Sequence, residues 1–190
     1  MDDGRKRCAW IGSELMRIYH DTEWGVPLHD DGKLFEFLVL EGMQAGLSWG
    51  TILNKRENFR RAFDGFDPEA VGRYDAKKIG SLLKDTGIIR NRQKITAAVK
   101  NARAFLAVQE EFGSFDAYQM RFVAGKPRVN HRKALRGIPP RTRESDVFSE
   151  DLKRRGFSFV GSTIVYSHMQ ATGMVNDHLV TCFRWAEVQR

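Results

Sequence analysis

The two cysteines of this 190-residue chain lie near its opposite ends, and a histidine accompanies each of them. His178 and Cys182 are four residues apart, so on a helix their side chains would project from the same face. Cys8 and His20 are twelve residues apart, which is enough for a loop to bring them together. Two thiolates and two imidazoles form a common tetrahedral ligand set for structural Zn²⁺. The alternative is two small buried apolar cysteines beside two core histidines, and spacing alone does not decide between them.

A second group of residues combines a carboxylate with aromatic rings. Glu41 ends the apolar run LFEFLVLE, where an unpaired carboxylate is costly to bury. A carboxylate among flat rings suits a planar cationic ligand, which gains from stacking, cation–π attraction and a hydrogen bond. The alternative is that the rings belong to the core and that Glu41 pairs with an arginine. The rings that we group with Glu41 are Tyr19, Trp24, Trp49 and Tyr166.

The segment TGIIRNRQKI, residues 86–95, has the composition of a turn between two helices. Gly87 can adopt a left-handed conformation, Ile88 and Ile89 can anchor the turn in the core, and the next helix starts near Asn91. Exposed backbone N–H groups and a positive helix end would then point at one spot, which suits a phosphate. The alternative is an ordinary corner between helices with solvated cations. The cations around this spot are Arg90, Arg92 and Lys94.

Positive charge is concentrated in one segment. The chain has 31 Lys and Arg against 24 Asp and Glu, a formal net charge of +7. Residues 117–143 contain eight cations and no acid, so the rest of the chain carries a net charge of −1. Such a patch attracts the phosphates of a nucleic acid without regard to base sequence. The alternative is a solvated basic loop.

Helical periodicity extends over nearly the whole chain. In DGKLFEFLVLEGMQAG, residues 31–46, apolar side chains cover most of the circumference, which predicts a helix buried on several sides at the centre of the fold. No alternating run is long enough to predict a strand. We therefore expect an all-α fold in a single domain over residues 1–190. Further helices are predicted within residues 48–63, 67–71, 75–87, 91–113, 145–156 and 162–173.

The sequence shows neither a secretory signal nor a transmembrane segment. The start, MDDGRKRCAW, carries charges where a secretory signal has an apolar run, and nowhere do 18 apolar residues follow one another. We expect a soluble, cytoplasmic monomer with no membrane partner. In that compartment two thiols are free or metal-bound instead of joined in a disulfide.

Several long motifs resemble the DNA-3-methyladenine glycosylase I family. They are YHDTEWGVP, LEGMQAGLSW, TGIIRNRQKI and KRRGFSFVGSTIVYSHMQATGMVNDH, and they occur in order between Arg7 and Cys182. The resemblance implies a helix-hairpin-helix DNA glycosylase fold whose ends are joined by a structural zinc on Cys8, His20, His178 and Cys182. It also implies a monofunctional hydrolase that flips 3-methyladenine out of double-stranded DNA and releases the free base.

The same resemblance assigns roles in the pocket. Glu41 would accept hydrogen bonds from the purine edge, and it is the candidate catalytic residue because it could orient or deprotonate the attacking water. Tyr19 would contact the base, Trp49 would stack on its face, and Trp24 would shape the pocket wall. Tyr166 is a further candidate for base binding.

Roles on the DNA side are assigned in the same way. Leu47, with Gln44 nearby, is a candidate to fill the gap left by the flipped nucleotide, and a core leucine is the alternative. Bifunctional relatives carry a nucleophilic lysine in this hairpin, whereas this chain has Asn91 and Gln93 there. The resemblance therefore implies that no Schiff base forms. The residues expected to bind DNA through the hairpin are Gly87, Ile89, Arg90, Asn91, Arg92 and Lys94.

Three features leave questions open. His168 stands where the family is expected to have an aromatic or apolar residue. A non-catalytic, zinc-stabilised helical DNA-binding module would share the hairpin and the basic segment. A hydrolase with a catalytic zinc would share the four metal ligands.

Overall fold

The computed structural model describes residues 4–189, and most of this part of the chain is α-helical, as the periodicity predicts. Its α-helices are α1 (Glu14–Thr22), α2 (Asp31–Gln44), α3 (Trp49–Ala62), α4 (Pro68–Gly72), α5 (Ala76–Leu82), α6 (Arg92–Phe112), α7 (Phe115–Met120), α8 (Arg143–Arg154), α9 (Ser162–Ala171) and α10 (Arg184–Glu187). Single 3-10 turns occupy Asp64–Phe66, Arg121–Val123 and Leu135–Gly137.

Local sequence signals start the helices that matter most for the site. The Ser48 side chain accepts a hydrogen bond from the backbone N–H of Thr51 and caps α3. Asn91 does the same for α6 by accepting from the N–H of Lys94. These caps fix where the loop after α2 and the hairpin before α6 end.

Helix α2 lies at the centre of the fold. Every side chain from Leu34 to Met43 is buried, and the helix packs against α3, α6, α7 and α9. Burial on all sides explains why this segment is apolar around its circumference instead of along one stripe. Because α2 carries Glu41 near its end, it delivers that carboxyl to the interior.

A short parallel pair of strands is one feature of the fold that the sequence does not predict. Strand β1 (Arg128–Val129) pairs with β2 (Val175–Asn176), with Arg128 opposite Val175. The pairing docks the basic segment onto the C-terminal part of the chain, where Arg132 forms an ion pair with Asp177 at 2.8 Å. The segment is therefore more than a solvated loop.

The two ends of the described chain meet beside α1. The backbone N–H of Phe183 donates to the carbonyl oxygen of Lys6 at 2.9 Å. Cys8 and Cys182 are both buried in a small apolar cluster that includes Tyr19 and Trp24. Within residues 4–189, no helix combines the length and the hydropathy needed to cross a membrane.

Candidate active site and metal centre

A cavity of about 320 Å³ opens between α1, the end of α2, the start of α3 and α9. A second cavity of about 330 Å³ adjoins it, shares Glu41, Gln44 and Ser167 with it, and extends to Leu47. The two form one cleft whose volume suits a purine and part of its sugar. The side chains that give the first cavity its character are Trp10, Met16, Tyr19, Trp24, Glu41 and Trp49.

Glu41 is buried in this cleft without a charged partner. Its side chain is 4% exposed, and its Oε2 atom has no hydrogen-bond partner among the described residues. Burial raises the pKa of Glu41 to about 8, which favours the protonated carboxyl at neutral pH. The alternative pairing with an arginine is wrong, because the buried Arg56 pairs with Glu36 at 2.6 Å and with Glu23 at 2.7 Å.

The rings around Glu41 form a continuous aromatic wall. The ring centroids of Tyr19 and Trp49 are 5.4 Å apart, and those of Trp10 and Trp24 are 5.1 Å apart. Phe37 stacks behind Trp49 at 6.5 Å. The Nε1 atom of Trp49 is buried and lacks a hydrogen-bond acceptor among the described residues. The wall thus offers flat faces for stacking together with one unused donor.

Tyr166 does not belong to this cleft. Its hydroxyl donates to Asp177 at 2.5 Å and accepts from Arg132 at 3.3 Å, and the side chain lines a separate cavity beside β1 and α8. Its prediction as a base-binding residue is wrong because its side chain lines that separate cavity and its hydroxyl is engaged by Asp177 and Arg132. The residues of α9 that line the cleft are Thr163, Ile164, Ser167 and Gln170.

The four residues at the chain ends come together as one buried cluster. Cys182 Sγ lies 3.4 Å from His20 Nε2, and His178 Nδ1 lies 3.7 Å from Sγ of both Cys8 and Cys182. All four ligand atoms lie within 4.8 Å of one another. In a tetrahedral zinc site with bonds of about 2.0–2.3 Å, ligand atoms are roughly 3.3–3.8 Å apart. The cluster could therefore hold a metal ion.

Both imidazoles are oriented for metal binding by their outer nitrogens. His20 Nδ1 lies 2.8 Å from Asp21 Oδ1, and His178 Nε2 lies 2.9 Å from the carbonyl oxygen of Trp24. Since those oxygens only accept, each ring donates outward and turns its unprotonated nitrogen toward the thiols. Gly25 makes room for this arrangement, because a Cβ there would lie 2.9 Å from His178 Nε2.

The pKa values of the two thiols are shifted in opposite directions. Their mutual hydrogen bond and burial raise the pKa of Cys8, while the same bond and the two imidazoles lower the pKa of Cys182. Two buried thiolates this close repel each other, and a divalent cation removes that repulsion. The chemistry of the donor set therefore also fits a metal. The geometry differs from the predicted one in that residues 178–182 form turns, not a helix.

The hairpin between α5 and α6 presents a cationic tip. Ile88 is buried, while Arg90, Asn91 and Arg92 are exposed at the N-terminus of the 21-residue helix α6. Gly87 does not adopt the left-handed conformation that the sequence analysis considers. It is needed for close approach instead, since a Cβ there would lie 3.0 Å from the Asp85 carboxylate.

Of the expected DNA contacts in this region, Lys94 lies elsewhere than predicted, whereas Leu47 is exposed. Lys94 is 8% exposed, and its Nζ atom donates to the carbonyl oxygens of Met43 and Ala45. The prediction that Lys94 adds charge around a bound phosphate is therefore wrong. Leu47 is 42% exposed at the rim of the second cavity, so the alternative of a core leucine is wrong as well. Gln44, half-buried, lines both cavities.

His168 lies outside the cleft. It is 1% exposed, its Nε2 atom is 3.1 Å from Gln119 Oε1, and burial lowers its pKa to about 3. The imidazole is thus a neutral core group that fills the place of an apolar residue.

Sequence reasoning missed several residues that line the cleft, among them Trp10, Met16, Ser167 and Gln170. Trp10 carries a usable signal because it follows the candidate metal ligand Cys8 by two residues, and its ring packs against His20 at 5.3 Å. Gln170 donates to Asp177 at 2.8 Å, which leaves its carbonyl oxygen for the cleft.

Comparison with known proteins gives one consistent result. The family model described as methyladenine glycosylase matches residues 10–185. DNA-3-methyladenine glycosylase 1 of Escherichia coli (strain K12) is 49% identical over 178 residues, which are 93% of this chain and 95% of that protein. A crystal structure of a 3-methyladenine DNA glycosylase I has a TM-score of 0.92 at 49% identity and covers 94% of this chain and 98% of its own. A tyrosine-to-phenylalanine variant of such an enzyme, in complex with 3-methyladenine, has a TM-score of 0.91 at 34% identity, with coverage of 96% and 97%.

Proposed function

Because this chain belongs to the methyladenine glycosylase family, we propose that it is a DNA glycosylase that excises 3-methyladenine from alkylated double-stranded DNA and so initiates base excision repair. The observation that carries the proposal is a buried carboxyl without a partner inside an aromatic cleft. The relatives supply the reaction, and the cleft supplies a physical reason for the choice of base.

The lesion differs from adenine in charge. An adenine that carries both deoxyribose and an N3-methyl group is cationic, so its electron-poor ring gains from contact with the aromatic wall that Trp49 and Tyr19 contribute to the cleft. Glu41 accepts from the donor groups on the purine edge. Normal adenine is neutral and gains less from the rings and from the carboxylate, which gives selectivity without a large steric difference.

Binding of the cation changes the protonation of Glu41. A positive charge nearby lowers the pKa of Glu41 from the raised value of the empty pocket, so the proton leaves as the base enters. The carboxylate then orients water toward the anomeric carbon and takes its proton. As the oxygen bonds to that carbon, the bond to the base nitrogen breaks, and its electron pair leaves with neutral 3-methyladenine.

Two segments at the surface are proposed to contact the DNA. Arg90 and Arg92, with the backbone N–H groups around Ile89 and Asn91, bind phosphate at the start of α6. Leu47 and Gln44 fill the gap that the flipped nucleotide leaves. Neither cavity of the cleft is lined by a lysine, which agrees with a monofunctional enzyme that forms no Schiff base.

The metal is proposed to be structural zinc. Cys8, His20, His178 and Cys182 would occupy all four positions, so the ion would tie the chain ends and would have no site for water. Trp10 and Tyr19 neighbour two of the ligands in sequence, so the same ion would steady one wall of the cleft. The proposal also includes a monomer that acts in the cytoplasm.

The test is base release from methylated duplex DNA, with the liberated bases identified by mass spectrometry and the strands examined for abasic sites. We expect free 3-methyladenine and an intact strand with an abasic site. Strand cleavage would indicate a Schiff base. Tight DNA binding without any free base would favour the non-catalytic module instead.

A further inference from the structure

Lys94 joins the DNA-facing hairpin to the loop that follows α2. It is the third residue of α6 and comes two positions after exposed Arg92, yet its side chain is buried. Its Nζ atom donates to the carbonyl oxygen of Met43 at 2.8 Å and to that of Ala45 at 2.6 Å. One side chain thus connects the start of α6 with the end of α2.

The ammonium group lies at the negative end of α2. The last carbonyl groups of a helix lack intrahelical partners, and the helix dipole favours a cation beside them. Helix α2 has no basic residue in its own last turn, so Lys94 supplies this charge from another helix. Burial lowers the pKa of Lys94, and the two carbonyl oxygens offset part of that penalty.

The residues that Lys94 holds lead directly into Leu47. Gly46 follows with φ of +76°, a left-handed conformation that favours glycine. The N–H of Leu47 then closes the turn on the carbonyl oxygen of Gln44 at 2.6 Å. The bonds from Lys94 therefore fix the point at which this turn leaves α2 and the direction in which Leu47 emerges.

We propose that Lys94 is a positioning residue that keeps Leu47 and Gln44 in register with the phosphate-binding hairpin. When the hairpin grips the DNA backbone, this tether places the loop at the nucleotide to be flipped. The inference rests on the proposed function. Lys94 itself touches neither phosphate nor base, so its contribution appears in nucleotide flipping and not in DNA affinity.

The experiment compares Lys94→Met, which keeps the length of the side chain and removes both bonds, with Lys100→Met, which removes an exposed charge from the same helix. For Lys94→Met we expect excision from methylated duplex at saturating enzyme to fall at least tenfold. Affinity for undamaged duplex and for free 3-methyladenine should stay within twofold of the wild type. Hydrogen exchange should become faster only in residues 43–47. Lys100→Met should match the wild type in every assay.

Several outcomes would overturn the tether. Unchanged excision, or a loss of free-base affinity equal to the loss of excision, would show that Lys94 does not act through the loop. If Lys94→Met does not fold, Lys94→Gln, which retains a donor near the carbonyls, is tested by the same criteria. Failure of both variants to fold would show that Lys94 serves the fold alone. If the wild type excises nothing, the proposed function fails, while the exchange pattern at 43–47 still decides whether Lys94 orders the loop.

Discussion

Replacing Glu41 with glutamine should stabilise the folded protein while it damages the pocket. Burial raises the pKa of Glu41 from 4.5 to about 8. A rise of this size makes the ionised carboxylate less stable in the fold than in water by about 5 kcal/mol. Below pH 4.5 both states are protonated and the difference vanishes. Between pH 4.5 and 8 the unfolded chain releases a proton that the folded chain keeps, so stability falls as the pH rises.

The expected size of the effect follows from this linkage. At pH 7.5 the loss due to Glu41 is about 4 kcal/mol. Glutamine removes the loss but buries amide N–H groups without acceptors, which costs about 1–3 kcal/mol. Glu41→Gln should therefore raise the free energy of unfolding by about 1–3 kcal/mol at pH 7.5, with no gain near pH 4. Urea unfolding at both pH values measures it, and a titration should show at least tenfold weaker binding of free 3-methyladenine.

Glu36 provides the matched control because it is also buried on α2 but pairs with Arg56 at 2.6 Å and with Arg60 at 2.8 Å. Its replacement by glutamine should lower the free energy of unfolding by about 1–3 kcal/mol, since Arg56 and Arg60 lose a charged hydrogen-bond partner while Arg56 keeps Glu23. A loss of similar size in Glu41→Gln at pH 7.5 would refute the reasoning, because Glu41 would then be paired in solution.

Three further perturbations test the metal, the loop and the hairpin. Cys8→Ser should lose the bound zinc in metal analysis and lower the midpoint of thermal unfolding by about 10 °C, whereas His29→Asn, at an exposed histidine, should change neither; retained zinc would remove Cys8 from the ligand set. Leu47→Ala should leave the free energy of unfolding within about 0.5 kcal/mol of the wild type while base release slows at least fivefold, and a loss above about 2 kcal/mol would point to a core role. Arg90→Ala should reduce the slope of log affinity for duplex DNA against log salt concentration by about 1, as measured by fluorescence anisotropy. An unchanged slope would exclude a phosphate contact.

The sequence predicts those features of the fold and the site that depend on the helical period and on residue type. The apolar circumference of residues 31–46 predicted the central helix, and an acid at the end of that run predicted a buried carboxyl in need of a ligand. The Asn91 cap and the cations beside it placed the hairpin tip at the surface. These features are local, so neighbouring elements did not change them.

The sequence does not predict the features that depend on how neighbouring elements pack around a side chain. Lys94 was grouped with Arg92 by charge, but the carbonyl groups at the end of α2 turn its side chain inward. The sequence groups Tyr166 with the other rings, but Asp177 and Arg132 bind its hydroxyl and its side chain lines a separate cavity. Strands of two residues have no periodicity to detect. Trp10 lines the cleft beside the cluster of Cys8, His20, His178 and Cys182, where its ring packs against His20.

Four tryptophans make the central claim directly measurable. Trp10, Trp24 and Trp49 line the cleft, whereas the Nε1–H of Trp185 donates to the carbonyl oxygen of Asn130 at 2.9 Å and lies outside it. The measurement is an NMR titration of the indole N–H resonances with free 3-methyladenine, with Trp185 as the internal control. The account predicts a saturable shift that is largest for Trp49 and a Trp185 signal that does not move. Shifts at Trp185 without shifts at Trp49 would contradict recognition of the damaged base in this cleft.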